Sequence, residues 1–165
     1  MYINRRKLND CLMNLFIVRH GHSPMQDIDH QRPLSELGQK QARQAAAFIQ
    51  QNTDTIPHIL CSDAVRTLQT AELIAAAFGL DGCDARNEFY TAGVGIWCDA
   101  IENNSHCQSL VLVGHNPTIS QLSGYLTGSN DIYFKPACVT HIRLEILTDG
   151  LRLPAQLLAN FKPDA

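Results

Sequence analysis

Arg19, His20 and Gly21 end an apolar run, Leu15-Phe16-Ile17-Val18, near the start of the chain. A guanidinium or imidazole buried without a partner is costly, so these side chains are expected to emerge where the run stops. A neutral imidazole carries a lone pair near pH 7 and can act as a nucleophile. A guanidinium presents a planar fork that takes two oxygens of a phosphate at once. His20 therefore reads as a nucleophile and Arg19 as a phosphate grip, with Gly21 letting backbone come close to a ligand. Two later stretches repeat the pattern of a short apolar run followed by polar residues. Ser62 to Arg66 follows Ile56–Cys61, and Gly114-His115 follows Ser109-Leu-Val-Leu-Val113. Arg66 falls in the first turn of the next helical stretch, where free N–H groups and the helix dipole already favour an anion. Two guanidiniums and two imidazoles at one crevice would suit a dianionic phosphoryl group, and the loose transition state of its transfer needs mainly positioning and charge stabilisation.

The three motifs meet only if the runs before them are parallel strands of one sheet. Leu15–Val18 and Ser109–Val113 have the continuous apolar character of strands buried on both faces. Residues 22–32 read as a loop. Ser35 caps a helix that runs to about Gln51, with Leu37, Gln41, Ala45 and Phe48 on its inner face. Ser62-Asp63 precede an Ala- and Leu-rich helix over 64–78 that stops at Gly79. Asp81–Asn87 reads as a turn, Val94–Ile101 as a helix, and Asn116-Pro117 as the N-cap and first position of a helix reaching Leu126. Cys138–Leu147 and Leu151–Phe161 read as closing strands, the second broken at Pro154. This alternation predicts an α/β fold, a three-layer α/β/α arrangement with a mostly parallel central sheet and its ligand crevice at the strands' carboxyl ends.

Composition narrows the class. A chain of 165 residues with 45% hydrophobic and 18% charged residues suits one soluble domain, expected over residues 13–165 after a loose extension at 1–12. A net charge of -3 gives no electrostatic case for nucleic acid. No apolar stretch approaches the roughly 20 residues of a membrane helix. Arg5-Arg6-Lys7 ahead of Cys11–Val18 imitates a secretory signal, but the apolar part is short, Asn14 breaks it, and no cleavage site follows. The six scattered cysteines form no C-x-x-C pair and read as reduced thiols of a cytoplasmic protein. His20-x-His22 could suggest a metal pair, but no third ligand has convincing spacing and Arg19 would repel a cation, so no metal or other cofactor is expected. His30, His58, His106 and His141 belong to no motif and read as structural, and Trp97 as core.

Val18-Arg19-His20-Gly21, Ser62-x-x-x-Arg66 and Gly114-His115, in this order, resemble the histidine phosphatase (phosphoglycerate mutase-like) superfamily. Arg32-Pro33-Leu34-Ser35-x-x-Gly38, Val113-Gly114-His115-Asn116-Pro117 and Lys135-Pro136-Ala137-Cys138 are similar to its small SixA-type phosphohistidine phosphatase branch. The resemblance covers residues 13–161 and implies the phosphoglycerate mutase-like fold. It implies that His20 accepts the phosphoryl group, that Arg19, Arg66 and His115 grip it, and that Glu88 is the candidate proton donor. Arg32 and Ser62 are further candidate substrate contacts. It also implies a metal-independent phosphatase, and a phosphohistidine-bearing protein is the expected substrate because the span between Arg66 and His115 has no room for the lid of relatives that enclose small substrates. The protein is expected to be a monomer. A small-molecule phosphomonoesterase, or a phosphoprotein-binding module without turnover, are the alternative readings.

Overall fold

The structure, a computed structural model, describes residues 11–165. The signal-like basic cluster and most of the expected N-terminal extension lie outside the described residues. Strand β1 (Cys11–Arg19) is followed by α1 (Glu36–Gln51), β2 (His58–Ser62), α2 (Val65–Ala77), β3 (Asp84–Arg86), α3 (Val94–Asn103), β4 (Ser109–Gly114), α4 (Thr118–Thr127), β5 (Val139–Leu147) and β6 (Gly150–Phe161). The strands form one six-stranded sheet in the order β3-β2-β4-β1-β5-β6. The β1, β4, β2 and β3 strands run parallel, and β5 and β6 are antiparallel additions on the far side of β1.

Alternation along the strands separates two apolar layers. Met13, Leu15 and Ile17 of β1, with Leu110 and Leu112 of β4, pack with Trp97 and Ile101 of α3 and Ile119, Leu122 and Leu126 of α4. Phe16, Val18, Val111 and Val113 point the other way, onto Ala45 and Ile49 of α1 and Ala71 and Ile74 of α2. Each fully buried large apolar side chain contributes roughly 1.5–3 kcal/mol relative to exposure, so both faces of β1 and β4 are strongly held. The expected three-layer α/β/α arrangement with a mostly parallel sheet is the one observed.

Several local expectations change. Cys11 and Leu12 belong to β1 and not to a loose extension, because β5 is long enough to pair with them through Ile146 and Glu145. The strand expected from Ile56 starts at His58, and Ile56 stays exposed. The stretch read as a turn at 81–87 includes β3, which adds to the outer edge of β2 through Leu60–Asp84 and Cys61–Ala85. The inner face of α1 runs through Gly38, Gln41, Ala42, Ala45, Ala46 and Ile49, which leaves Leu37 exposed. The cause of that rotation is a contact between two glycines described below. Pro154 lies within β6, but the pairing with β5 is irregular there: Gln156 faces Arg143 and Arg152 faces Glu145, so the expected break is present as a bulge on an edge strand, where a missing N–H is tolerated.

Candidate active site

Parallel pairing brings three strand ends to one crevice. Arg19 pairs with Gly114 in register, the His20 N–H donates to the Gly114 carbonyl (3.2 Å), and β2 pairs with the other edge of β4. The strand's alternation then sends Arg19 toward the α4 side, where its Nη1 donates to the Phe134 carbonyl (2.9 Å). It sends His20 toward α2, whose second residue is Arg66.

Arg66 organises the centre. Its Nε donates to His20 Nε2 (3.3 Å) and its Nη2 to His115 Nδ1 (3.2 Å). A guanidinium has donors only, so each ring nitrogen it meets carries a lone pair. His20 is therefore protonated at Nδ1, which donates to the Gly21 carbonyl (2.8 Å), and His115 at Nε2, which donates to Ser62 Oγ (2.9 Å). The two rings lie 5.4 Å apart. His20 is 7% exposed, and burial first, then the neighbouring His115, Arg66 and Arg19, push its pKa down to about 3 against the opposing hydrogen bond to Gly21. Burial and Arg66 bring His115 down to about 4. Both imidazoles are thus neutral near pH 7, the state a nucleophile needs. Burial also lowers the pKa of Arg19, and its Nε is buried without a hydrogen-bond partner among the described residues. A buried cationic donor of this kind is a place for an oxyanion.

The glycine of the first motif has a different task from the one expected. A Cβ on Gly21 would fall 2.5 Å from the Gly38 carbonyl oxygen, and one on Gly38 would fall 2.1 Å from the His22 oxygen. Gly21 thus serves the close approach of α1 to the motif. Ser35 caps α1 by accepting from the Gly38 N–H (3.0 Å).

The other expected site residues divide. Ser62 sits under His115, and its Oγ also accepts from the Ala64 N–H (3.2 Å). Arg32 is turned to its own loop: it donates to the Ser23 and Pro24 carbonyls and to Asp29 Oδ1 (2.8 Å). Glu88 lies in a 3-10 turn, Asn87–Phe89, with its side chain 55% exposed and paired to Arg86 (3.5 Å), outside the hydrogen-bonded group around His20. Asn116 does not cap α4: its amide donates to the Phe134 carbonyl and accepts from Ser120, while Pro117 occupies the cap position.

Sequence reasoning missed a second layer. Asp29 accepts from Arg66 Nη2 (3.0 Å), Arg32 Nη1 and the Tyr90 hydroxyl (2.5 Å), and its carbonyl accepts from Arg66 Nη1 (2.7 Å). The Tyr90 hydroxyl, then Arg32 and Arg66, hold this carboxyl well below the usual range. The Tyr90 ring stands edge-on to both His115 (5.5 Å) and His30 (4.8 Å), and His30 pairs with Asp63 (2.8 Å). His30 is thus part of the crevice wall. The one signal was Asp29 three residues before Arg32; nothing in the sequence linked either to Tyr90. Among the described residues, no group of three or more His, Cys, Asp or Glu side chains could hold a metal ion, and no helix is long and apolar enough to cross a membrane.

Comparison with known proteins places this geometry. The chain is 33% identical over 110 residues to the uncharacterized protein MT1313 of Mycobacterium tuberculosis, covering 64% of this chain and 67% of that one. The structure of the protein histidine phosphatase SixA complexed with tungstate superposes with a TM-score of 0.79 at 22% identity, covering 92% of this chain and 97% of that one. Mycobacterial glucosyl-3-phosphoglycerate phosphatase Rv2419c superposes with a TM-score of 0.64 at 16% identity, over 90% and 97% of the two chains. At these identities both structures speak for the fold alone. The family model for the histidine phosphatase superfamily (branch 1) matches residues 15–97, half of the chain. The strand-end histidines and arginines therefore stand in a chain that belongs to the histidine phosphatase superfamily (branch 1).

Proposed function

We propose that the protein is a phosphatase that removes a phosphoryl group from phosphohistidine on a protein, through a covalent phospho-His20 intermediate. The observation that carries this reading is the buried, neutral His20, whose Nε2 lone pair faces the Arg66 guanidinium at 3.3 Å. In the first step the Nε2 lone pair forms a bond to phosphorus as the bond to the substrate's imidazole nitrogen breaks, and that imidazole, protonated from solvent on its other ring nitrogen, leaves neutral. Arg19, Arg66 and His115 stabilise the charge spread over the phosphoryl oxygens. The Nδ1–H bond to the Gly21 carbonyl supports the positive charge that develops on the His20 ring. Water then attacks phosphorus, the P–N bond to His20 breaks, and phosphate leaves with the proton from water.

An imidazole leaves readily once protonated, so an acid matters less here than in ester cleavage. This suits the exposed, Arg86-paired setting of Glu88. Between Arg66 and His115 the chain forms only the rest of α2, β3, the 3-10 turn, α3 and β4. That economy favours a phosphate displayed on another protein over an enclosed small molecule.

The test is release of phosphate from a phosphohistidine protein and from a simple phosphate ester, measured side by side with a chelator present. Turnover of the first, abolished in His20→Ala, is expected. Full activity in His20→Ala, or loss with chelator, refutes the mechanism. Faster cleavage of the ester, with Glu88 essential, assigns the site to small molecules. Binding of phosphoprotein without phosphate release assigns a binding module.

A further inference from the structure

The two peptide groups that follow His20 are each held by a buried side chain from a different helix. The N–H of the His20–Gly21 peptide donates to Thr70 Oγ1 on α2 (3.1 Å), and Thr70 in turn donates to the Arg66 carbonyl (2.7 Å). The N–H of the Gly21–His22 peptide donates to Gln41 Oε1 on α1 (3.0 Å). The carbonyl of that same Gly21–His22 peptide accepts the Nδ1–H of His20 (2.8 Å). Thr70 is 0% exposed and Gln41 8% exposed.

We infer that Gln41 and Thr70 are positioning residues for the nucleophile: together they fix the plane of the Gly21 carbonyl, which, with Arg66 on the other ring nitrogen, holds His20 in its Nδ1–H tautomer with Nε2 unprotonated. The inference rests on the phosphatase reading above for its kinetic consequence, but not for its structural one.

The chemistry follows from how a peptide group shares charge. A hydrogen bond accepted from the His22 N–H polarises the whole amide and makes the Gly21 oxygen a stronger acceptor. That oxygen is the partner that keeps the His20 proton on Nδ1, and a partner on one ring nitrogen decides which nitrogen is free. Arg66 Nε favours the same tautomer from the other side of the ring but contacts only Nε2. It cannot orient the Gly21 peptide. Thr70 adds a second restraint: its bond to the Arg66 carbonyl ties the His20–Gly21 peptide to the helix that carries Arg66. Gln41 and Gly38 share the buried face of α1, so the helix that approaches the motif closely also supplies the acceptor. Neither residue touches the reacting atoms, and each acts through backbone.

The experiment compares two matched pairs. Gln41→Leu removes the acceptor, and Gln41→Glu restores an oxygen in the same place. Thr70→Val removes the hydroxyl at nearly constant shape, and Thr70→Ser returns it. The first readout is the ring nitrogen shifts of His20 in the free protein by NMR, which report the tautomer without any turnover. Wild type is expected to show protonated Nδ1 and bare Nε2. Gln41→Leu and Thr70→Val are expected to show mixed tautomers, and Gln41→Glu and Thr70→Ser a single one. The second readout is kinetic: kcat is expected to fall on the order of tenfold in the two removing variants with KM changed less than about twofold. The inference is overturned if Gln41→Leu and Thr70→Val keep the single tautomer and wild-type kcat. It is equally overturned if Gln41→Glu and Thr70→Ser are as impaired as their partners, because loss without rescue is a packing effect. A wild-type protein with the locked tautomer and no phosphatase turnover refutes the phosphatase reading, and the NMR comparison still decides the role of Gln41 and Thr70.

Discussion

Replacing Gly38 by alanine sets two effects against each other. Alanine is the better helix former by up to about 1 kcal/mol in a helix interior, and Gly38 lies within α1. Taken alone, propensity predicts a more stable protein. The space around Gly38 predicts the reverse. The new Cβ would lie 2.1 Å from the His22 oxygen, 2.9 Å from its nitrogen and 3.0 Å from its carbonyl carbon, all of them backbone. To reach ordinary contact the His22 carbonyl must retreat by roughly 1.3 Å or more. That carbonyl accepts from the Ser35 N–H (3.0 Å) and from Ser35 Oγ (3.3 Å). Loosening two such bonds costs about 0.5–1.5 kcal/mol each, and overpacking adds on the order of 1–3 kcal/mol. The gain from propensity is smaller than this sum, so Gly38→Ala is expected to be destabilised by about 1–5 kcal/mol. The displaced residue directly follows the Gly21 carbonyl that orients His20, so turnover is expected to drop on the order of a hundredfold. Urea unfolding and phosphate release, measured on the same preparations, test both numbers. Gly95→Ala is the control, since a Cβ there meets nothing within 4 Å in the exposed first turn of α3. It is expected to leave turnover unchanged and stability equal or slightly higher. A Gly38→Ala protein as stable as wild type with full turnover would refute the account of the two glycines.

Three further outcomes follow from the site. Arg66→Lys keeps one charge but loses the fork that reaches His20, His115 and Asp29 together, so kcat/KM is expected to fall at least on the order of a hundredfold. A loss below about threefold in steady-state assays would show that charge alone suffices there. Glu88→Gln is expected to change phosphohistidine turnover less than about threefold while slowing ester cleavage more; equal, large losses on both substrates would make Glu88 an obligate acid. His20 and His115 are neutral when folded, with pKa values down to about 3 and 4, against about 6.5 in an unfolded chain. The unfolded state therefore binds protons first as pH falls. The stability these groups confer is complete above about pH 6.5 and is lost below it, by about 2 kcal/mol for each group at pH 5. Urea midpoints at pH 7 and pH 5 measure this, and a midpoint unchanged between them contradicts the buried neutral pair.

The candidate site was legible because its residues sit where a pattern breaks. Arg19-His20, Arg66 and His115 each follow an apolar run short enough to be a strand, and a parallel sheet gathers such ends. Asp29 and Tyr90 had no such marker. They lie in irregular segments, and their link through one carboxylate to Arg66 is a long-range contact that no periodicity encodes. Local reasoning also misread Gly21 and Leu37 together. An apolar residue at position 37 attracted the inner face of α1, but the glycines at 21 and 38 let two backbones touch and turned the helix by about one position. Asn116 has the right type for a cap, but its amide finds better partners in Phe134 and Ser120.

The order of strands in the sheet bears on when the candidate site can form. β4 lies between β1 and β2 although it follows both in the chain. Every polypeptide that stops short of Ser109 lacks both His115 and the strand that joins the His20 and Arg66 halves. Closing so long a loop adds little to the equilibrium cost, roughly 0.6 kcal/mol per doubling of length, but it slows folding. A nascent chain on the ribosome can thus carry His20 and Arg66 for many residues before the strand that brings them together with His115 has been made.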